Sequence, residues 1–419
     1  MLAPEYIRKI VPKRMADLYA EIEDDMLRDI ARRIKEANYI TPSAEWYLQK
    51  AQDMSVLMKD LIKTLAKYTG RTQKEIRETL KAAGIESAAW DKAIYKRALD
   101  AGLIDDISAE AKKWITGDKL AVDPALEDIL KAAERNAMDT MQLTNTRAIQ
   151  GALNTFSDIV DKNYLALQTG VLTFDQAMKQ SIDKLATEGI KAVNYASGRR
   201  LSIEAAVKAN IRTAANQMCA KLAERHMEMV GCSYVETTSH AGARPDHAEW
   251  QGRVFHWKEK GKADPRYSAP DFIQSTGYGT ATGLCGVNCR HSFYPYFPGL
   301  SSPSFEHDPA ARLGIDNDEL YRQEQEQRRL ERDVRTAKKK EVIAEEMGDA
   351  EALRQARAER IQAQRAVKEY VDSHEYLQRS YENEGIGRAG ARSPREMAAA
   401  ATNGTAEKKK KKKKKKEKT

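Results

Sequence analysis

The stretch at residues 13–38, KRMADLYAEIEDDMLRDIARRIKEAN, decides the fold class. Its apolar residues include Met15, Leu18, Tyr19, Ile22, Met26, Leu27, Ile30 and Ile34. Steps of three and four residues place them on one stripe of a helix. The same texture continues to about residue 230. Thr41-Pro42 reads as the N-cap and first-turn proline of a second helix, and Thr72 with Glu75 as the capping box of a third. Asp123-Pro124 opens another helix, Thr173 with Gln176 forms another capping box, and Ser202 precedes a long helix towards Met229. Gly70, Gly84, Gly170, Gly189, Gly198 and Gly231 punctuate these runs.

The texture changes twice more. Residues 231–300 are rich in Gly, Pro, His and aromatic residues, with strands predicted over Cys232–Thr238, Arg253–Trp257 and Ser292–Phe297. From Leu320 to Lys340 the chain is dominated by Glu, Gln, Arg and Lys. Such a segment is helical by propensity but poorly able to bury a face alone, so it should extend from the body or pack on partner helices. The expected architecture is therefore mainly α. It comprises a helical N-terminal domain (1–230), a small loop-rich α/β module (231–300), a charged helical region (301–384) and a disordered basic tail (385–419).

Bulk properties narrow the function classes. The chain has 419 residues, with 70 basic and 62 acidic side chains. The segment from Glu407 to Thr419 alone holds 10 Lys and 2 Glu, which leaves 60 of each sign elsewhere. The body is thus neutral, with no bulk signature of nucleic-acid binding. Four cysteines in this length do not make a disulfide scaffold. No apolar run is long enough to span a bilayer. A reducing cytoplasm and no membrane contact are expected.

Two stretches carry most of the information. Ser239 to Gly252 reads SHAGARPDHAEWQG, and Gly283 to Gly299 reads GLCGVNCRHSFYPYFPG. Together they resemble the phage minor capsid protein 2 family, a relative of the head-morphogenesis proteins typified by the F protein of phage Mu. The resemblance extends from the N-terminal helices to about residue 395. It implies a structural head protein of a tailed bacteriophage, with the portal and major capsid proteins as partners. The expected location is the virion, after assembly in the host cytoplasm.

The same stretches have chemistry of their own. His247, Cys285, Cys289 and His291 are zinc-binding residue types, with His240 as an alternate. Cys289 and His291 are two apart and share a face on a strand. One structural zinc would staple a module without a large core. The alternative is that the cysteines are small buried hydrophobes and the histidines hydrogen-bonded. The wider Mu F-like group resembled here shows Cys-x-x-Cys in the first stretch and Cys-Arg-Cys in the second. Arg244 and His247 occupy the first pair's places and His291 the last. Histidine can replace cysteine as a ligand, whereas arginine cannot. Gly242, Arg244, Trp250, Gly252 and Arg290 read as structural motif residues, the arginines as fork donors to loop carbonyls or to a carboxylate such as Asp246. Trp250, Phe255, Trp257, Phe293, Tyr294, Tyr296 and Phe297 read as the module's core, or less simply as a binding platform.

His247-Ala248-Glu249 followed by Cys285 and Cys289 also resembles the zinc deaminase signature, in which Glu shuttles protons. Leu284 stands where that signature has Pro, and Gly252 stops the first helix after one turn. A virion-associated zinc-dependent deaminase or hydrolase is therefore the alternative to a structural protein. No other catalytic template is present. In the tail, Lys408, Lys409, Lys410, Lys411, Lys412, Lys413, Lys414, Lys415 and Lys416 would bind a polyanion such as packaged DNA by counterion release. The alternative there is a solubilising run.

Overall fold

In the computed structural model, which describes residues 1–37, 43–117, 124–194, 200–257 and 267–386, the stripe over 13–38 forms helix α1 (Lys13–Glu36). All eight of its named apolar residues are buried. Thr41, Pro42, Asp123, Gly198 and the tail with its lysines lie outside the described residues.

The next element corrects the sequence reading. Helix α2 (Ser43–Asp100) runs for 58 residues through Gly70, Thr72 and Gly84, and no third helix begins at Thr72. The Thr72 hydroxyl donates to Tyr68 O (3.0 Å) inside the helix instead of capping a new one. Gly84 marks close packing: a Cβ there would meet Leu126 Cδ1 at 3.0 Å and Met218 Cε at 3.3 Å. A mid-helix glycine costs about 1 kcal/mol in propensity, which tertiary burial readily outweighs.

Helices α3 (Ala109–Thr116), α4 (Pro124–Gln168) and α5 (Phe174–Glu188) follow. The capping box of Thr173 and Gln176 forms at the start of α5. Strands β1 (Lys191–Asn194) and β2 (Arg200–Ser202) then pair as an antiparallel hairpin that the helical reading of 1–230 did not contain. Strands of four and three residues are too short for their alternation to be legible. Ser202 accepts from Ala205 N to start α6 (Ile203–Val230), which ends at left-handed Gly231.

That turn delivers the chain into β3 (Tyr234–Thr237), followed by α7 (Pro245–Ala248), β4 (Val254–His256), α8 (Phe272–Thr276) and β5 (Phe293–Tyr296). The strands form an antiparallel sheet in the order β4-β3-β5. Pro295 is tolerated because β5 is an edge strand. Helices α9 (Asn317–Met347) and α10 (Ala350–Asp372) follow. The fold is mainly α, with one small α/β module. No helix among the described residues is long and apolar enough to cross a membrane.

These elements form two compact units, each assembled from three separated segments. The first takes Met1–Tyr19, Leu65–Gln150 and Lys191–Glu324, and the second takes Ala20–Thr64, Gly151–Ile190 and the described residues from Gln325 onward. Within the second unit the charged segment packs on partner helices. Part of α9 buries Val334, Ala337, Val342, Ile343, Ala344 and Met347. Its charges meet opposite charges on its neighbours. Lys339 pairs with Glu23 of α1 (2.6 Å), Glu346 with Arg28 and Arg32 of α1, and Lys340 with Asp183 of α5 (2.7 Å). Trp46 of α2 stacks on Tyr164 of α4 with ring centres 4.5 Å apart.

Glu23 is buried and also accepts from Ile190 N (3.2 Å). Lys339→Met leaves that carboxylate without its cation, so a loss of about 3 kcal/mol is expected in urea unfolding. Adding Glu23→Gln should recover much of the loss, because the pair is then neutral on both sides.

Candidate functional site

The two informative stretches meet in the first unit, at one end of the three-stranded sheet. Past the end of β3, Thr238 N donates to Ser292 O and Ser292 N to Thr238 Oγ1, each at 2.9 Å. Pairing is thereby carried back from β5 towards His291. After a turn at Gly242, Pro245 occupies the first turn of α7, where its missing N–H costs nothing. This single helical turn presents His247 inwards. Gly252, at φ +62°, then reverses the chain into β4. A Cβ at Gly252 would lie 2.3 Å from Glu306 O, so only glycine fits. On the other side, Cys285 and Asn288 both adopt φ 58°, a left-handed conformation uncommon for residues other than glycine. These bends deliver Cys289 and His291 to the same point.

His247, Cys289 and His291 are 2%, 2% and 1% exposed. One ligand atom from each converges on a small triangle. His247 Nδ1 is 3.3 Å from His291 Nδ1, and Cys289 Sγ is 3.8 Å from each nitrogen. The outer nitrogens are fixed by acceptors. His247 Nε2 donates to Thr282 O (2.8 Å), and His291 Nε2 donates to Gln251 Oε1 (3.0 Å). Gln251 Oε1 also accepts from His240 N (3.0 Å), so two donors agree on which end of the amide is oxygen. Trp250 covers the histidines, its ring 4.8 Å from His247 and 4.9 Å from His291.

Burial disfavours the charged forms of these groups. It holds His291 well below the usual imidazole range, with His240, His247, Arg290 and Arg244 adding in the same direction. Burial also lowers His247, against the opposing bond to Thr282 O, and raises the Cys289 thiol. His291 N donates to Cys289 Sγ at 3.3 Å.

The remaining predicted residues fall around this centre. Cys285 is buried but does not join the converging atoms; its Sγ donates to His291 O at 3.8 Å. His240 stacks on His291 with ring centres 4.5 Å apart, and its Nδ1 faces Ala241 O. Burial, followed by Arg290, takes its pKa down to about 4. Arg244 donates to the Val287 carbonyl (3.0 Å). Arg290 faces Glu324 at 3.8 Å, while Asp246 lies 3.8 Å from His247 Nε2. A Cβ on Gly242 would sit 3.2 Å from Glu324 Oε1. The aromatic residues pack on each other: Phe293 lies 5.9 Å from Trp257 and 5.1 Å from Phe272, all buried. That is core packing, not an open platform.

Three contributors went unmarked in the sequence. Gln251 lay within the first stretch, and its amide is an obvious partner for a buried imidazole. Asn216 of α6 donates to His291 O (2.8 Å), and its one signal is a polar residue among buried apolar ones. Thr282 acts through its backbone and leaves no side-chain signal. The deaminase constellation does not assemble, because Cys285 is outside the triangle, Glu249 is exposed and α7 is one turn long. What the geometry offers is a closed, buried set of one sulfur and two nitrogen donors.

Gly252→Ala should destabilise the module by at least about 2 kcal/mol, from left-handed strain and the clash with Glu306 O. Thermal unfolding followed by tryptophan fluorescence would measure it, since Trp250 and Trp257 are buried here.

Comparison with known proteins agrees over most of the chain. The profile of the family described as phage minor capsid protein 2 matches residues 2–372. A protein named "Structural protein" of Lactococcus phage LL-H is 25% identical over 343 residues, covering 81% of this chain and 88% of the relative. Another "Structural protein", of Lactococcus phage mv4, is 32% identical over 125 residues, covering 29% of this chain and 98% of the relative. No solved structure matches.

Proposed function

Because the chain belongs to the phage minor capsid protein 2 family, we propose that it is built into the bacteriophage head, where its helices dock on the portal or major capsid protein. The observation that carries this reading is an apolar stripe on α2. Tyr47, Leu48, Met58 and Ile62 are 67%, 67%, 43% and 48% exposed. At ~100° per residue they fall within an arc of about 100°, which is a continuous helix face. Scattered surface leucines need no explanation, but an aligned apolar face suits helix docking. A structural role also accords with a donor set in which His247, Cys289 and His291 are all buried.

Leu48→Glu combined with Ile62→Glu should leave the isolated protein folded, since both side chains face solvent. In phage carrying the double substitution, purified heads should lack the protein while the lysate contains it. Normal incorporation into heads would refute docking through this face.

The neutral body leaves Lys408 to Lys416 as the segment for contact with packaged DNA. Truncation after Gly404 should abolish DNA retention by the purified protein, and retention by the full chain should fall steeply with salt. Equal retention by the truncated chain would place any DNA contact on the body instead.

A further inference from the structure

The site contains an unresolved proton problem. Thr282 O is a carbonyl and can only accept, and the same holds for Gln251 Oε1. The proton of each imidazole therefore sits on Nε2, the nitrogen facing outwards. Both Nδ1 atoms are left as bare lone pairs, buried and 3.3 Å apart. The thiol of Cys289 has one hydrogen and can satisfy one of them. The other would remain a buried acceptor facing a second acceptor, a polar group left unsatisfied in the interior.

A cation at the centre of the triangle removes the conflict. Zinc with Zn–N near ~2.0 Å and Zn–S near ~2.3 Å at tetrahedral angles holds its ligand atoms about 3.3 Å (N to N) and about 3.5 Å (N to S) apart. The separations here are 3.3 Å, 3.8 Å and 3.8 Å. The surroundings also suit an ion. Both histidines donate their outer N–H to oxygen, which orients the ring and strengthens the ligand nitrogen. The His291 amide points at the sulfur, as suits a thiolate. Glu324 faces Arg290, and Asp246 places a carboxylate beside His247.

We propose that His247 Nδ1, Cys289 Sγ and His291 Nδ1 bind one zinc ion that staples α7 to the entrance of β5. Cys289 binds as the thiolate, and its proton is released to solvent. Among the described residues no fourth His, Cys, Asp or Glu atom joins the group, so the fourth corner is taken by a water molecule. Cys285 shapes the loop instead, with its sulfur turned to His291 O. The inference is independent of where the protein docks, because its test needs only the purified chain.

The full chain would be purified without chelator or histidine tag and assayed by elemental analysis. One zinc per chain is expected, and full occupancy again after chelation and return of zinc. Chelation should lower the melting temperature, and zinc should restore it. With cobalt in place of zinc, Cys285→Ser should keep the sulfur-to-cobalt charge-transfer band, whereas Cys289→Ser should lose it. If Cys289→Ser does not fold, the reversible chelation of the unaltered chain still decides the matter. Absence of zinc after incubation with the ion, or copper in its place, would overturn the proposal. So would loss of the metal in Cys285→Ser, which would require a ligand set with two cysteines.

Discussion

Two imidazoles buried side by side have four ring nitrogens to satisfy, and the α/β module is arranged around that requirement. Its sheet has three short strands, packed on a small buried aromatic core. The histidines set the loop positions. Thr282 O must lie beside His247, Gln251 must turn inward, and the chain must bend sharply at Gly252 to bring it there. The left-handed Cys285 and Asn288 are the corresponding bends on the other side. Backbone conformations this unfavourable persist where the surroundings over-determine them.

The module is anchored to the helices by the same logic. Asn216 in α6 holds His291 O, Thr213 of the same helix accepts from Asn288 N (2.9 Å), and Arg212 also reaches Asn288. A largely apolar helix thus carries a row of polar side chains where it meets the loop of Cys289 and His291. The start of α9 contributes Asn317, which both donates to and accepts from the Ala243 backbone. These contacts tie the turn before α7 to the chain that leaves the module.

The second unit rests on a different balance. Helix α9 has too few apolar residues to form a broad stripe, yet Val334, Ala337, Val342, Ile343, Ala344 and Met347 are buried there. Its lysines and glutamates are accommodated because α1, α5 and α10 present opposite charges at the matching places. Partly buried pairs of this kind are costly to break from one side, and this favours one register of the helices over others. The exposed apolar residues of α2 are the converse: a helix that has buried its needed face and still carries a second one.

Much of the fold was legible without coordinates. Periodicity marked α1, the capping residues at Thr173 and Ser202 marked two helix starts, and turn residues separated the strands of the module. These are local signals, set by which φ and ψ angles a residue accepts and by which face is apolar. Local signals failed where packing overruled them. Thr72 and Gly84 look like a helix boundary and lie inside a 58-residue helix, because burial along α2 exceeds the small cost of an interior glycine. The divisions drawn from composition follow changes of texture along the chain, whereas the compact units follow contact between distant segments. The sequence by itself determined the helical class, the family and the two stretches in which the clustered His and Cys residues lie. Tertiary structure alone decided that His247, Cys289 and His291 converge and that Cys285 turns away. Side-chain direction there depends on the left-handed conformation of Cys285 and on backbone carbonyls, and neither leaves a mark on residue identity.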